Sequence, residues 1–351
     1  MEIKQEIITM LEMLPQPAFL ADKENICHVN TAARMYLLQP DAPLAELLGE
    51  QWPVYQSFTG DSLYCSLRIG LKPVCATVTD LEGCRLFSLE QPEEQLQLQA
   101  MALASQQLRE PVASMLAASA QFLPEVQAHR EAADQFVRRC HQLMRRLNNM
   151  SDAVTFADGN SGWLEYTEMT GFFREILEKA TDLAQKAGFN VAVNIQPEPV
   201  CTMADREKLE RALLNMLSNA MKFASGAPEI QVELTTRGNR LCMSVTAEGR
   251  PLHGAIYARF CRRPALEDPL NSIGLGMVLV RSTAIAHEGA VLTDQPQPGK
   301  NRVTLCIPLR HPKDTALRSP VMRLDYAGGY DHCLLELSDV LPPAVYQTAM
   351  E

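Results

Sequence analysis

The spacing of hydrophobic positions divides the chain into three stretches of different period. In residues 1 to about 90, an amphipathic segment Ile3 to Leu14 is closed by Pro15 and Pro17, and then apolar residues come in short runs. Ala18 to Ala21 and Ile26 to Val29 flank the polar turn Asp22-Lys23-Glu24-Asn25, which predicts a strand hairpin. Asn30 or Thr31 then caps a helix running into Met35. Three further strands, Leu63 to Ile69, Val74 to Thr79 and Arg85 to Leu89, are separated by Gly70-Leu71-Lys72-Pro73 and Glu82-Gly83, as in an antiparallel sheet.

From Gln91 the period becomes helical, and no glycine occurs through His141 and beyond. Phe136, Cys140, Leu143, Leu147, Met150 and Val154 recur in steps of 4, 3, 4, 3 and 4, the seam of a helix packed lengthwise. Ala104, Leu108, Val112, Met115, Ser119 and Phe122 form a similar stripe before Pro124, so the pattern predicts an antiparallel helical hairpin. Two such helices leave a stripe uncovered, and dimerisation into a four-helix bundle would cover it. Between Trp163 and Leu309 helices alternate with strands: helix Phe172 to Ala187, strand Val191 to Ile195, helix Asp205 to Phe223, strands Glu229 to Thr235 and Arg240 to Thr246, helix Gly276 to Ala286 and strand Arg302 to Ile307. That order predicts an α/β sandwich, so the fold class is multidomain α+β. In the last 40 residues, Asp325 to Tyr330 reads as a turn and Cys333 to Leu337 as a strand.

Composition narrows the function classes. The 351 residues are 46% apolar and 21% charged, which suits a chain folded nearly throughout, and a length that allows two or three domains. A net charge of −10 with no long basic run argues against nucleic acid as a partner. The ten cysteines include no C-x-x-C pair and have no histidines at metal-ligand spacing, so they read as reduced thiols. A lone His28 on a strand reads as a packed or surface residue rather than a haem ligand. Neither a signal-peptide pattern nor a run of about 18 apolar residues is present, and the expected location is cytosolic, that is, cytoplasmic, with no membrane span.

Candidate chemistry concentrates in Asn215-Met216-Leu217-Ser218-Asn219-Ala220-Met221-Lys222-Phe223. On a helix Asn215, Asn219 and Lys222 share one face, giving two carboxamides and an ammonium suited to Mg²⁺ and phosphate. This resembles the N box of the Bergerat-fold ATPases, the superfamily of histidine kinases, gyrase B and the Hsp90 chaperones. The resemblance implies an ATP/Mg²⁺ cofactor, with Asn219 on the metal, Asn215 and Lys222 toward the phosphates and Phe223 against adenine. Gly274-Leu275-Gly276, about 55 residues downstream, resembles the G2 box, and Ile256 to Arg263 with Phe260 resembles the F box. Ser105-Gln106-Gln107-Leu108-Arg109-Glu110-Pro111 is similar to the H box, typically Ser-His-Glu-Leu-Arg-Thr-Pro. Over residues 96 to 309 the chain thus resembles a sensor histidine kinase in that family's domain order, and the opening hairpin with Asn30-Thr31-Ala32-Ala33 resembles a PAS sensor domain. The implied division is a PAS-like domain over 1–92, a dimerisation hairpin over 93–158, an ATP-binding domain over 159–311 and an extension over 312–351.

Two departures matter. Gln106 stands at the phosphoacceptor position and Gln107 at the base position, and a carboxamide nitrogen cannot take a phosphoryl group as a neutral imidazole can. The G1 box, normally Asp-x-Gly-x-Gly, reads Ala247-Glu248-Gly249-Arg250-Pro251, so the adenine-reading carboxylate is missing, and Glu248 faces the other side of its strand. The expectation is a pseudokinase acting as a homodimer and by partner binding, on a response regulator or another histidine kinase. The alternatives are an ATP-binding kinase that phosphorylates a partner in trans, and a phosphatase-like or inhibitory role toward a receiver. Arg138-Arg139 and Arg145-Arg146 read as a solvated face that could meet an acidic receiver.

Overall fold

The computed structural model describes residues 5–70, 72–81, 83–90, 108, 112, 115, 130–155, 164–224, 229–249, 275–312 and 326–350. At the start, helix α1 (Gln5–Glu12) leads into the expected hairpin of β1 (Ala18–Ala21) and β2 (Ile26–Val29). The turn closes because Asp22 Oδ1 accepts from the backbone N–H of Glu24 and of Asn25, each at 2.7 Å. Asn30 is fully buried: its Oδ1 accepts from Ala18 N at 3.0 Å and Ala33 N at 2.9 Å, and its Nδ2 donates to the carbonyls of Leu11, Leu14 and Gln16. It caps not an α-helix but a 3₁₀ segment, Thr31–Tyr36, which stops at Leu37 with φ 56°. His28 lies half-buried against Glu12 at 3.0 Å.

Short helices α2 (Leu44–Leu48) and α3 (Trp52–Ser57), which the sequence reading did not anticipate, precede β3 (Ser62–Ile69), β4 (Lys72–Leu81) and β5 (Cys84–Leu89). A long helix, α4 (Arg130–Thr155), follows, and then β6 (Glu165–Glu168), α5 (Met169–Lys186), β7 (Asn190–Ile195), β8 (Cys201–Ala204) and α6 (Arg206–Phe223). The chain goes on through β9 (Glu229–Arg237), β10 (Arg240–Glu248), α7 (Leu275–Ala286), β11 (Ala290–Gln297), β12 (Lys300–Pro308) and α8 (His332–Glu336).

The strands form one ten-stranded sheet, ordered β2-β1-β5-β4-β3-β11-β12-β10-β9-β7, beside a two-stranded β6-β8 ribbon. The join is the antiparallel pair β3–β11, with Tyr64 opposite Val291 and Ser62 opposite Thr293. Asp61 N donates to Thr293 O at 2.8 Å, the Ser62 and Thr293 hydroxyls bond each other, and the Arg281 guanidinium lies 4.9 Å from the Tyr64 ring centroid. On β10, alternate residues Leu241, Met243, Val245 and Ala247 face the helices α5, α6 and α7, and this layer is the main core. A second core lies between the N-terminal strands and α2 and α3, around Phe19, Tyr55 and Phe87.

Two expectations are corrected. Cys333 to Leu337 lies in helix α8 and the turn that closes it, not in a strand: Asp331 Oδ1 accepts from Leu334 N at 2.9 Å as a helix cap, and a five-residue apolar run carries no period of its own. The α4 seam is split. Cys140 and Leu147 are buried along with Val137 and Met144, whereas Phe136 and Leu143 are 42% and 41% exposed. Most of the first hairpin helix lies outside the described residues, including Gln106 and Gln107; of its stripe, Val112 is buried and Leu108 and Met115 are exposed. Among the described residues no helix is long and apolar enough to cross a membrane.

Candidate functional site

Helix α6 is built to hold its polar face still. Asp205 caps it, accepting from Lys208 N at 3.3 Å, while Asp205 N donates to His287 Nε2 at 2.9 Å. His287 Nδ1 bonds Thr283 O at 2.7 Å within α7, so the imidazole is neutral with both nitrogens engaged, and it ties the end of α7 to the start of α6. Burial lowers its pKa, opposed by its bond to Thr283. Leu209, Leu213, Leu214 and Leu217 lie in the core, which turns the Asn215–Asn219–Lys222 row toward α7 and outward.

The three remote motifs converge here. A methyl group built on Gly276 would lie 2.8 Å from Asn215 Oδ1 and 3.6 Å from Asn219 Nδ2, so the start of α7 crosses directly over the N-box row. A methyl on Gly249 would lie 2.7 Å from Phe223 O, and Ala224 bridges to Gly249, so the end of β10 abuts the end of α6. Leu275 opens α7, whereas Gly274, Arg250, Pro251 and Phe260 lie outside the described residues. Ala247 is buried in the core face of β10 and Glu248 is exposed on the other, so Glu248 does not replace the missing carboxylate.

Residues 204–311 match the family described as histidine kinase-, DNA gyrase B- and HSP90-like ATPase. Over 229 residues the chain is 27% identical to sensor protein KdpD of Escherichia coli strain K12, covering 60% of this chain and 24% of that protein. Residues 204–311 thus carry an ATPase domain of that superfamily, and the chain is similar to sensor histidine kinases. The chain is also 23% identical to histidine kinase P4 of Formosa agariphila, over 57% of this chain and 15% of that protein. It thus spans a quarter or less of the length of these curated relatives. Among solved structures, histidine kinase AdeS of Acinetobacter baumannii aligns over 57% of this chain and 96% of its own, at 16% identity and a TM-score of 0.39.

The inner end of the N-box row is bonded within the chain. Asn215 is fully buried; its Nδ2 donates to Arg211 O at 2.9 Å and to Glu336 Oε2 at 3.0 Å, and its Oδ1 accepts from an Arg145 guanidinium nitrogen at 3.0 Å. Asn219 is half-buried, Lys222 exposed, and Phe223 48% exposed. Lys222 Nζ lies 5.9 Å from the Phe223 ring centroid. The outer residues fit a nucleotide phosphate and Mg²⁺, whereas Asn215 is engaged within the chain and Ala247 offers no acceptor.

The sequence reading missed the partners of Asn215. Arg145, Arg211 and Glu336 are 4%, 3% and 0% exposed. Arg145, read as part of a solvated face, points inward, as does Arg138, which donates to the carbonyls of Ser338 and Asp339 at 3.3 and 3.1 Å. The one signal for this was a lone glutamate inside the apolar run Cys333-Leu334-Leu335-Glu336-Leu337. His141 is 5% exposed, bonds Val137 O at 2.9 Å and packs against Tyr330 and Tyr346.

Proposed function

We propose that this chain is a catalytically silent member of the sensor histidine kinase family, which signals as a homodimer and by binding partner proteins such as a response regulator or another histidine kinase. The observation that carries the reading is the engagement of the whole Asn215 carboxamide by Arg145, Arg211 and Glu336, at the end of the row where a phosphate would have to be received. Gln106 and Gln107 in the acceptor and base positions, and Ala247 in the adenine-reading position, support it from the sequence. Exposure of Phe136 and Leu143, two helical turns apart on α4, supports pairing through the hairpin helices. The strand order β2-β1-β5-β4-β3 around a buried Asn30 supports a PAS-like sensor unit at the N-terminus.

A second reading, an ATP-binding kinase that phosphorylates a partner in trans, is favoured by the accessibility of Asn219 and Lys222. Thermal unfolding of the purified chain with and without Mg-ATP separates the two, because a ligand that binds only the folded state must raise its melting temperature. The silent reading expects no shift and no label from γ-³²P-ATP. A stable phosphohistidine, or a saturable shift lost in Asn219→Ala, would overturn the silent reading.

A further inference from the structure

The carboxylate of Glu336 is held by groups from two other elements. Its Oε1 accepts from Arg211 Nε at 3.1 Å, and its Oε2 from Arg145 Nε at 3.3 Å and Asn215 Nδ2 at 3.0 Å. Arg145 comes from α4, Arg211 and Asn215 from one turn of α6, and each is nine-tenths buried or more. Two guanidinium Nε–H groups and a carboxamide N–H converging on one carboxylate make a donor set suited to carboxylate or phosphate. Asp339 accepts from the far end of Arg145 at 2.9 Å, so one carboxylate remains on the Arg145 side when Glu336 is set apart.

We infer that Arg145, Arg211 and Asn215 form a small-anion site, and that the chain fills it with its own Glu336 where an active relative would turn the same helix row toward nucleotide phosphate. The comparison with nucleotide rests on the proposed reading of α6, whereas the anion site rests on the distances alone. The acidic ligand is delivered by α8, whose neighbours fix its depth: Gln142 Nε2 donates to Ser338 O at 3.0 Å and Tyr346 Oη to Leu334 O at 3.0 Å. Occupation is therefore intramolecular and constant, and it joins α4 to the N-box helix without any diffusible ligand.

Truncating the ligand while keeping the full chain tests this. Glu336→Ala removes a CH₂–COO⁻ group, which free acetate replaces. Sodium acetate should raise the melting temperature of Glu336→Ala saturably by several degrees, inorganic phosphate should do so to a lesser or equal extent, and the wild type should not respond. Equal responses to acetate and to chloride at matched ionic strength, or no response in a folded variant, overturn the anion site. If Glu336→Ala is recovered unfolded, its refolding yield against acetate gives the same reading: a yield that rises with acetate alone supports the site, a flat yield overturns it. Mg-ATP added to the wild type is the separate arm. Acetate rescue with an ATP-stabilised wild type leaves the anion site standing and removes the silent-kinase reading; no rescue with an ATP-inert wild type does the reverse.

Discussion

Replacing Arg211 with leucine should cost about 3–5 kcal/mol of stability, because it takes one of two guanidinium partners from a carboxylate that has no access to water. Glu336 is 0% exposed, and Arg211 supplies its Oε1 bond at 3.1 Å while also donating to Asn149 Oδ1 at 3.3 Å and lying 4.3 Å from the Tyr326 ring centroid. Glu336→Leu should cost a similar amount from the other side, since it leaves two buried guanidiniums without their shared partner. Were the sites independent, the double variant would lose about 6–10 kcal/mol. It should not, because the uncompensated buried ion that dominates each single loss is absent once both charges are gone. Arg145 then still has Asp339 at 2.9 Å. The double variant should lose about as much as one single variant, a coupling of at least ~2 kcal/mol. Urea unfolding followed by circular dichroism on the wild type, the two singles and the double measures this directly. Losses that add to within about 0.5 kcal/mol would refute the shared-ion account.

Three further outcomes are expected. Gly60 leaves 2.7 Å between a built methyl carbon and Thr293 O, so Gly60→Val should wedge β3 from β11 at a cost of about 1–3 kcal/mol; calorimetry should then resolve a separate N-terminal transition, and an unchanged single transition would count against the shared sheet. Asn30→Ala strips two backbone donors and three carbonyls of their partner, and should destabilise the N-terminal strands by about 3 kcal/mol or more, read as a lowered melting temperature. Burial lowers the pKa of both His287 and His141, so the unfolded chain binds protons that the folded chain refuses; their contribution is complete above about pH 6.5 and is lost as pH falls through the folded values. A melting temperature that falls below pH 6.5, with a shallower slope in His287→Gln, is the expected profile; identical slopes in the two proteins would remove His287 from it.

What the sequence disclosed and what it hid follow from the range of the interactions. The hairpin of β1 and β2, the Asn30 cap and helix α6 are set by neighbours a few residues apart, and they stand where pattern and turn chemistry placed them. β11 was missed because Pro296 and a register shift after Asp294 break its alternation, and because one of its two partner strands is β3, more than 200 residues away. The N box and both glycine motifs were legible because their residue types are uncommon in combination. The partners of Asn215 were not, since an Arg145-Arg146 pair on a helix and a glutamate near the end of the chain look like ordinary surface until the fold turns one of each inward.

Whether a nucleotide could evict Glu336 is decided by the side chains around it. Leu334, Leu335, Leu337, Leu341, Val345 and Tyr346 are all at most 7% exposed, and withdrawing the segment that carries them would return six apolar side chains to water. At about 1.5–3 kcal/mol each, that withdrawal costs roughly 9–18 kcal/mol. A nucleotide present at a thousand times its dissociation constant contributes only about 4 kcal/mol toward the state it prefers. The difference favours Glu336 staying in place, and under the proposed silent reading control would come through a surface that a protein can reach, such as the α4 face at Phe136 and Leu143. Hydrogen exchange across residues 326–346 should accordingly be as slow as across α6 and unchanged by Mg-ATP; protection that fell on adding Mg-ATP would show that the burial energy had been overestimated and that the nucleotide does compete.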